Sequence, residues 1–123
     1  MVSILMVSHS KKIENGMKDL LLQITSGVEI ILPERENDEI GTSAISIAKA
    51  LKSCKSDEII IICDIGSSIM NAKNGIELVD KKAVIADCPF VEGSLAAVMA
   101  ASIGRDLKEV KKEAEAAWSM RKL

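Results

Sequence analysis

Four short apolar runs punctuate the chain, at residues 4–7, 28–32, 59–63 and 83–86. The first and third, Ile4-Leu5-Met6-Val7 and Ile59-Ile60-Ile61-Ile62-Cys63, show no polar alternation. A strand covered on one face alternates apolar with polar positions, whereas a strand covered on both faces reads as a continuous run. These runs therefore predict strands of a mainly parallel sheet enclosed by helices. The segments between them have helical period. Ile13, Met17, Leu20, Leu21 and Ile24 share one face. Ile45, Ala48 and Leu51 make a shorter stripe behind Thr42-Ser43, whose hydroxyls suit an N-cap. Ile69, Ala72, Ile76 and Val79 make a third behind Ser67-Ser68. Residues 95–103 are small or apolar almost throughout, which predicts a helix buried nearly all round and stopped by Gly104. Asp106 and Glu109 form an acidic cap-and-N3 pair opening a last helix, with Leu107, Val110, Ala114 and Ala117 on one face. Arg121 and Lys122 suit its C-terminal end.

The order β-α-β-α-β-α-β-α-α, with short connections and right-handed crossovers, predicts an α/β fold. It is an open, mainly parallel, doubly wound sheet with helices on both faces and strand order 2-1-3-4. A single domain over residues 1–123 accommodates it, with neither linker nor repeat. Residues 33–39, acid-rich around Arg35, read as a solvated loop before the second helix.

Composition narrows the function classes. A chain of 123 residues can bury a core without disulfides or a structural metal. Sixteen basic against 18 acidic residues, net charge −2, speak against nucleic-acid binding by a basic surface. No apolar run approaches the roughly 20 residues that a membrane-spanning helix needs. The first residues lack the basic region of a secretory signal. Cys54, Cys63 and Cys88 form no C-x-x-C pair, so reduced core thiols in a cytoplasmic protein are expected. Phe90 and Trp118 are the sole aromatics, which argues against base stacking and against flanking a flavin.

In open parallel sheets ligands bind beyond the carboxyl ends of the strands, where strand order reverses. With order 2-1-3-4 that point lies between the first and third strands. The first ends in Val7-Ser8-His9-Ser10 and the third in Cys63-Asp64-Ile65-Gly66-Ser67-Ser68. His9 is the sole histidine. A lone histidine is more often structural, but its place at a strand exit between two serines favours chemistry. A neutral imidazole has one nitrogen to accept a group and one to donate a hydrogen bond. Asp64 is the carboxylate placed to fix the tautomer, although a plain helix cap is its bland alternative. Gly41-Thr42-Ser43 and Gly66-Ser67-Ser68 are small-residue turns at helix starts, where backbone N–H groups and the helix dipole suit a phosphoryl group. With Ser10, they supply the phosphoryl-binding candidates Ser10, Gly41, Thr42, Ser43, Gly66 and Ser67. Neither turn is a P-loop, and no G-x-G-x-x-G is present, so no nucleotide cofactor is expected. One histidine and scattered cysteines make no metal-ligand set. What the residues describe is a phosphocarrier whose donor and acceptor are other proteins.

Val7-Ser8-His9-Ser10, Ile40-Gly41-Thr42-Ser43, Asp64-Ile65-Gly66-Ser67-Ser68-Ile69-Met70-Asn71 and Pro89-Phe90-Val91-Glu92-Gly93-Ser94 together resemble the phosphotransferase subunit of phosphoenolpyruvate-dependent dihydroxyacetone kinase. Its fold is that of the mannose-type enzyme IIA domains of the phosphotransferase system. The resemblance covers nearly the whole chain. It implies that His9 accepts a phosphoryl group from the phosphohistidine of HPr and passes it to ADP on a separate kinase subunit. That subunit in turn phosphorylates dihydroxyacetone. Asp64 matches the supporting carboxylate. The resemblance also implies a homodimer, for which the apolar fourth helix is a reasonable contact. There are departures. Pro33-Glu34-Arg35-Glu36 stands where related chains often carry glycine. Some relatives carry fused HPr and enzyme I domains, which this chain is expected to borrow. Gly66-Ser67-Ser68-Ile69 favours the kinase subunit over the sugar transporters, which usually carry Gly-Gly-Ser-Pro there.

Three rivals frame the reading. A mannose-type enzyme IIA of a sugar transporter shares the fold. A regulatory module would use phosphorylation of His9 only to change its affinity for a partner. A receiver domain phosphorylated on Asp64 would need an acidic pair after the first strand to hold Mg²⁺, where Ser8-His9-Ser10 stands instead. For docking, Ile65, Ile69, Met70, Phe90 and Val91 are the candidates for an apolar rim around His9.

Overall fold

The computed structural model describes residues 1–35 and 40–123, so the stretch 36–39 of the expected solvated loop lies outside the described residues. The two continuous apolar runs become the central strands, β1 (Val2–Val7) and β3 (Glu58–Cys63). β2 (Ile30–Ile31) and β4 (Lys82–Ile85) flank them, giving the all-parallel order β2-β1-β3-β4 that the sequence predicts. Leu5 sits in register with Ile31 on one side and Ile61 on the other, and Ile61 with Ile85.

Side chains alternate across this sheet into two cores. Ile4, Met6, Ile60 and Ile62 pack beneath α1 (Lys11–Ile24), α4 (Phe90–Ser102) and α5 (Leu107–Ala116). Leu5, Val7, Ile59 and Ile61 pack beneath α2 (Ala44–Ser53) and α3 (Gly66–Glu77). Each such fully buried aliphatic side chain contributes about 1.5–3 kcal/mol of transfer free energy, which is why the unbroken runs hold the sheet centre.

Several helix faces differ from the sequence pattern. The buried face of α1 is Glu14, Met17 and Leu21, while Ile13, Leu20 and Ile24 are exposed. The strand on that edge is two residues long, so the helix meets the sheet along a narrow stripe. In α2 the buried residues are Ile47, Ala48, Ala50 and Leu51, and Ile45 points to solvent. α3 starts at Gly66 behind Ile65, so Ser67 and Ser68 lie in its first turn instead of capping it, and Ser68 Oγ donates to the Ile65 carbonyl at 2.7 Å. α4 is not buried all round, for Val91, Met99 and Ile103 are exposed along it and at its end. Its stop is the expected one. Gly104 takes φ +84°, and the N–H groups of Gly104 and Arg105 close on the carbonyls of Ala101 and Ala100 in a Schellman arrangement. Asp106 caps α5 through the Glu109 N–H at 2.9 Å, and Leu107, Val110, Ala114 and Ala117 are buried as predicted. Arg121 and Lys122 do not close that helix, which stops at Ala116 and passes into a 3-10 turn, Ala117–Ser119. All three thiols are buried, and burial pushes Cys54 and Cys63 up to about 11 and Cys88 up to about 12. Cys63 and Cys88 are thus buried in the core, where the sequence reading places them. Among the described residues no helix is long and apolar enough to cross a membrane.

Candidate functional site at the exits of strands 1 and 3

The parallel pairing of β1 with β3 runs one step past the strands, because the Asp64 N–H donates to the Val7 carbonyl at 3.0 Å. That step sets Asp64 beside Ser8 and His9. Its carboxylate is shared between them. Oδ1 lies 3.0 Å from His9 Nδ1 and accepts from the Ile65 N–H at 2.7 Å. Oδ2 accepts from the His9 N–H at 3.0 Å and from Ser8 Oγ at 2.9 Å. Burial alone would raise the Asp64 pKa, but the hydrogen bonds from the His9 backbone and ring, Ile65 and Ser8 outweigh it and hold the carboxyl below its usual value. Asp64 is thus no plain cap. The N-cap of α3 is Ile65, and the carboxylate is spent on the histidine turn.

The other face of the imidazole meets Ser67, whose Oγ lies 2.8 Å from His9 Nε2. A carboxylate at Nδ1 makes that nitrogen the N–H donor, which leaves the lone pair at Nε2. The histidine side chain is 20% exposed, and Ser67, the residue that meets Nε2, is itself exposed.

The structure brings His9, Asp64 and Ser67 into one hydrogen-bonded chain. Gly66 opens α3 next to it. Gly41 joins through the backbone. Its N–H donates to the His9 carbonyl at 2.8 Å, and its φ of +144° is one that side-chain-bearing residues rarely adopt. The remaining three candidates serve local structure. Ser10 caps α1 through the Ile13 N–H, and Ser43 caps α2 through the Ser46 N–H, both at 3.3 Å. Thr42 Oγ1 accepts from Asn71 Nδ2 at 2.6 Å, tying the start of α2 to α3. A cleft of about 390 Å³ opens beside this side of the turn, lined by Glu14, Arg35, Thr42 and Ser43 among others.

Sequence reasoning missed Glu14, Arg35 and Asn71. Arg35 is not solvated as the loop reading has it. Its guanidinium pairs with Glu14 Oε2 at 3.2 Å and donates to the Gly41 carbonyl at 2.9 Å and to the Ser8 carbonyl. Glu14 accepts from the Ser8 N–H at 2.9 Å, and burial, offset only in part by Arg35 and that N–H, raises its pKa. One signal was available. Glu14 occupies the same helical face as Met17 and Leu21, and a carboxylate on an apolar stripe demands a partner. Of the rim candidates, Ile65, Met70 and Val91 are exposed, whereas Ile69 and Phe90 pack against the cores.

Comparison with known proteins places the chain in a family. The family model EIIA-man, described as the PTS system fructose IIA component, matches residues 3–111. A Listeria innocua protein, PEP-dependent dihydroxyacetone kinase 2 phosphoryl donor subunit DhaM, is 39% identical over 106 residues, covering 80% of this chain and 85% of that one. The Lactococcus lactis PTS-dependent dihydroxyacetone kinase phosphotransferase subunit DhaM is 30% identical over 113 residues, covering 91% and 92%. The Escherichia coli PEP-dependent dihydroxyacetone kinase phosphoryl donor subunit DhaM is 30% identical over 120 residues, of which the matched region is 25% of its length, so this chain spans about a quarter of that relative. A crystal structure of the unknown function protein EF1359 superposes with a TM-score of 0.87 at 26% identity, covering 99% of this chain and 98% of that one. The family match runs through both strand exits that carry His9 and Asp64, and the chain belongs to the EIIA-man family of phosphotransferase-system IIA components.

Proposed function

We propose that the protein is a cytoplasmic phosphocarrier, a single domain over residues 1–123. It takes a phosphoryl group from phospho-HPr onto His9 and hands it to ADP bound on a dihydroxyacetone kinase subunit. One observation carries the reading: the imidazole is braced at Nδ1 by Asp64 at 3.0 Å while Nε2 meets the hydroxyl of the exposed Ser67 at 2.8 Å. The relatives' names, phosphoryl donor subunit and phosphotransferase subunit, support the reaction class. In the first step the Nε2 lone pair attacks phosphorus. The donor's N–P bond breaks, its electrons return to the donor imidazole, and the Nε2–P bond forms. The proton stays on Nδ1, and the Asp64 carboxylate offsets the positive charge that the ring acquires. Ser67 Oγ turns from Nε2 to donate to a phosphoryl oxygen, beside the N-terminal N–H groups of α3. In the second step a terminal phosphate oxygen of ADP attacks, and the Nε2–P bond breaks back to the neutral ring. Gly66 belongs to the same phosphoryl-binding set through the start of α3, and Gly41 through its N–H on the His9 carbonyl, while Ser10, Thr42 and Ser43 enter it only by holding the starts of α1 and α2 in place. Homodimerisation through α4 belongs to the same proposal, which requires neither metal, nucleic acid nor membrane.

Incubated with phosphoenolpyruvate, enzyme I and HPr, the protein should gain one acid-labile, alkali-stable phosphate, and His9→Ala should abolish it. A hydroxylamine-labile phosphate surviving in that variant would mark an acyl phosphate on Asp64 and overturn the reading. A IIA component of a sugar transporter is the second reading, favoured by the family description. The acceptor separates the two: an ADP-loaded dihydroxyacetone kinase subunit drains the phosphate under the first and leaves it in place under the second.

A further inference from the structure

Where β1 leaves the sheet its ladder ends, yet the backbone groups of Ser8 and His9 all keep partners. The Ser8 N–H goes to Glu14 and the His9 N–H to Asp64. The Ser8 carbonyl accepts from Arg35, and the His9 carbonyl accepts from the Gly41 N–H at 2.8 Å and from Arg35 at 3.4 Å. A single guanidinium thus gathers the carbonyls of Ser8, His9 and Gly41 and closes on Glu14. Only the planar, multiply donating fork of an arginine can serve so many acceptors at once.

The pair is nearly enclosed, with side-chain exposures of 12% for Arg35 and 2% for Glu14. Replacing a buried ion pair by apolar residues is often neutral or stabilising, so such a pair is weak evidence of a contribution to stability. Its location supplies the better reason. We infer that Glu14 and Arg35 are positioning residues that fix the peptide groups on both sides of His9, so that the ring is presented with Nδ1 on Asp64 and Nε2 outward. The inference takes from the proposed function only that Nε2 is the reacting atom. Misplacing a reacting group by about 1 Å costs on the order of 10²-fold in rate, which gives the scale of the effect.

The test is ¹⁵N-resolved NMR of the His9 ring in the full chain, alongside kinetics of phosphoryl uptake from phospho-HPr. Removing one partner strands a buried charge, so the double variant Glu14→Leu/Arg35→Met is the decisive one. It should unfold cooperatively near the wild-type temperature while its ring signal changes from one N–H tautomer to an exchange average. Its uptake should fall on the order of 10²-fold in kcat with KM little changed. Arg35→Lys keeps the charge opposite Glu14 but cannot span three carbonyls, and should show the same ring averaging even if the double variant does not fold. A wild-type ring signal and rate in whichever of these variants folds overturns the inference. The tautomer is read without any phosphoryl donor. If the wild type takes up no phosphate while the variants still lose the single tautomer, the phosphocarrier reading falls and the positioning role stands.

Discussion

At Asp64, burial pulls the carboxyl toward its neutral form, and hydrogen bonds from His9, Ile65 and Ser8 pull it further the other way. Its folded pKa therefore lies below the ordinary 3.8. A depressed folded pKa contributes stability that is present above the unfolded value and lost as pH falls through the folded one. Asp64→Asn removes that contribution. Its urea midpoint should accordingly fall less than the wild type's as pH drops through about 4. The same variant keeps the turn but cannot offset charge on the ring, so transfer should slow by about 10²- to 10⁴-fold, the usual range for an acid–base or orienting group. Unchanged transfer in both directions would reduce Asp64 to a turn anchor. Glu14 has the opposite sign. Its folded pKa is raised above 4.5, chiefly by burial. That contribution is complete below the unfolded value and is lost as pH rises through the folded one. Glu14→Gln should hold its stability on going from acid to neutral pH over the interval in which the wild type declines. Denaturant midpoints at a series of pH values check both signs.

Among the elements, α2 and α3 matter most to the site, because their starts flank His9 and are tied by Asn71 and Thr42. They lie close because Gly75 lacks a side chain: a Cβ there would meet Ile47 Cγ2 at 2.8 Å and the Ala44 carbonyl at 3.1 Å. Gly75→Ala gains about 1 kcal/mol of helix propensity. Overpacking of this kind costs about 1–3 kcal/mol, so the net change should be a lower melting temperature. A rise would mean that the helices part without strain. This scale also shows why the sequence was legible in places and opaque in others. The runs of β1 and β3 announced their burial because the central strands are covered on both faces, and burial there needs no knowledge of neighbours. Helix faces depend on what lies opposite. Ile45 and Ile47 are equally apolar, and only the packing of α2 on Ile59 and Ile61 decides that Ile47 goes in. The site divides in the same way. His9, Asp64 and Ser67 sit at strand exits that topology brings together, so residue type and position sufficed. Arg35 comes from a connection whose composition reads as solvent-facing, and its burial follows from carbonyls that no side-chain pattern records.

At the scale of the whole molecule, the proposed function requires one imidazole to be offered to two proteins, which asks for a shared and adaptable surface. Ile65 at 58% exposure and Met70 at 64% stand on the start of α3, next to the serine that faces Nε2. Apolar side chains in that position are not accounted for by the core. Flexible methionine in particular adapts to more than one partner. Phe90 differs: it packs against the core beneath α4, so its truncation should cost stability before it costs docking. Ile65→Asp and Met70→Asp should therefore leave the melting temperature almost unchanged, since surface substitutions away from packing usually stay within about ±0.5 kcal/mol. A residue central to an interface is worth about 1–2 kcal/mol or more, roughly a tenfold change in affinity. Each variant should accordingly raise KM for phospho-HPr about tenfold, with kcat at saturation preserved because His9 and Asp64 are untouched. The same variants should weaken transfer to the ADP-loaded kinase subunit, because under the proposed function both partners reach Nε2 over the same rim. Selective loss toward one partner would split the rim into two docking surfaces. Wild-type kinetics with both would remove Ile65 and Met70 from docking altogether.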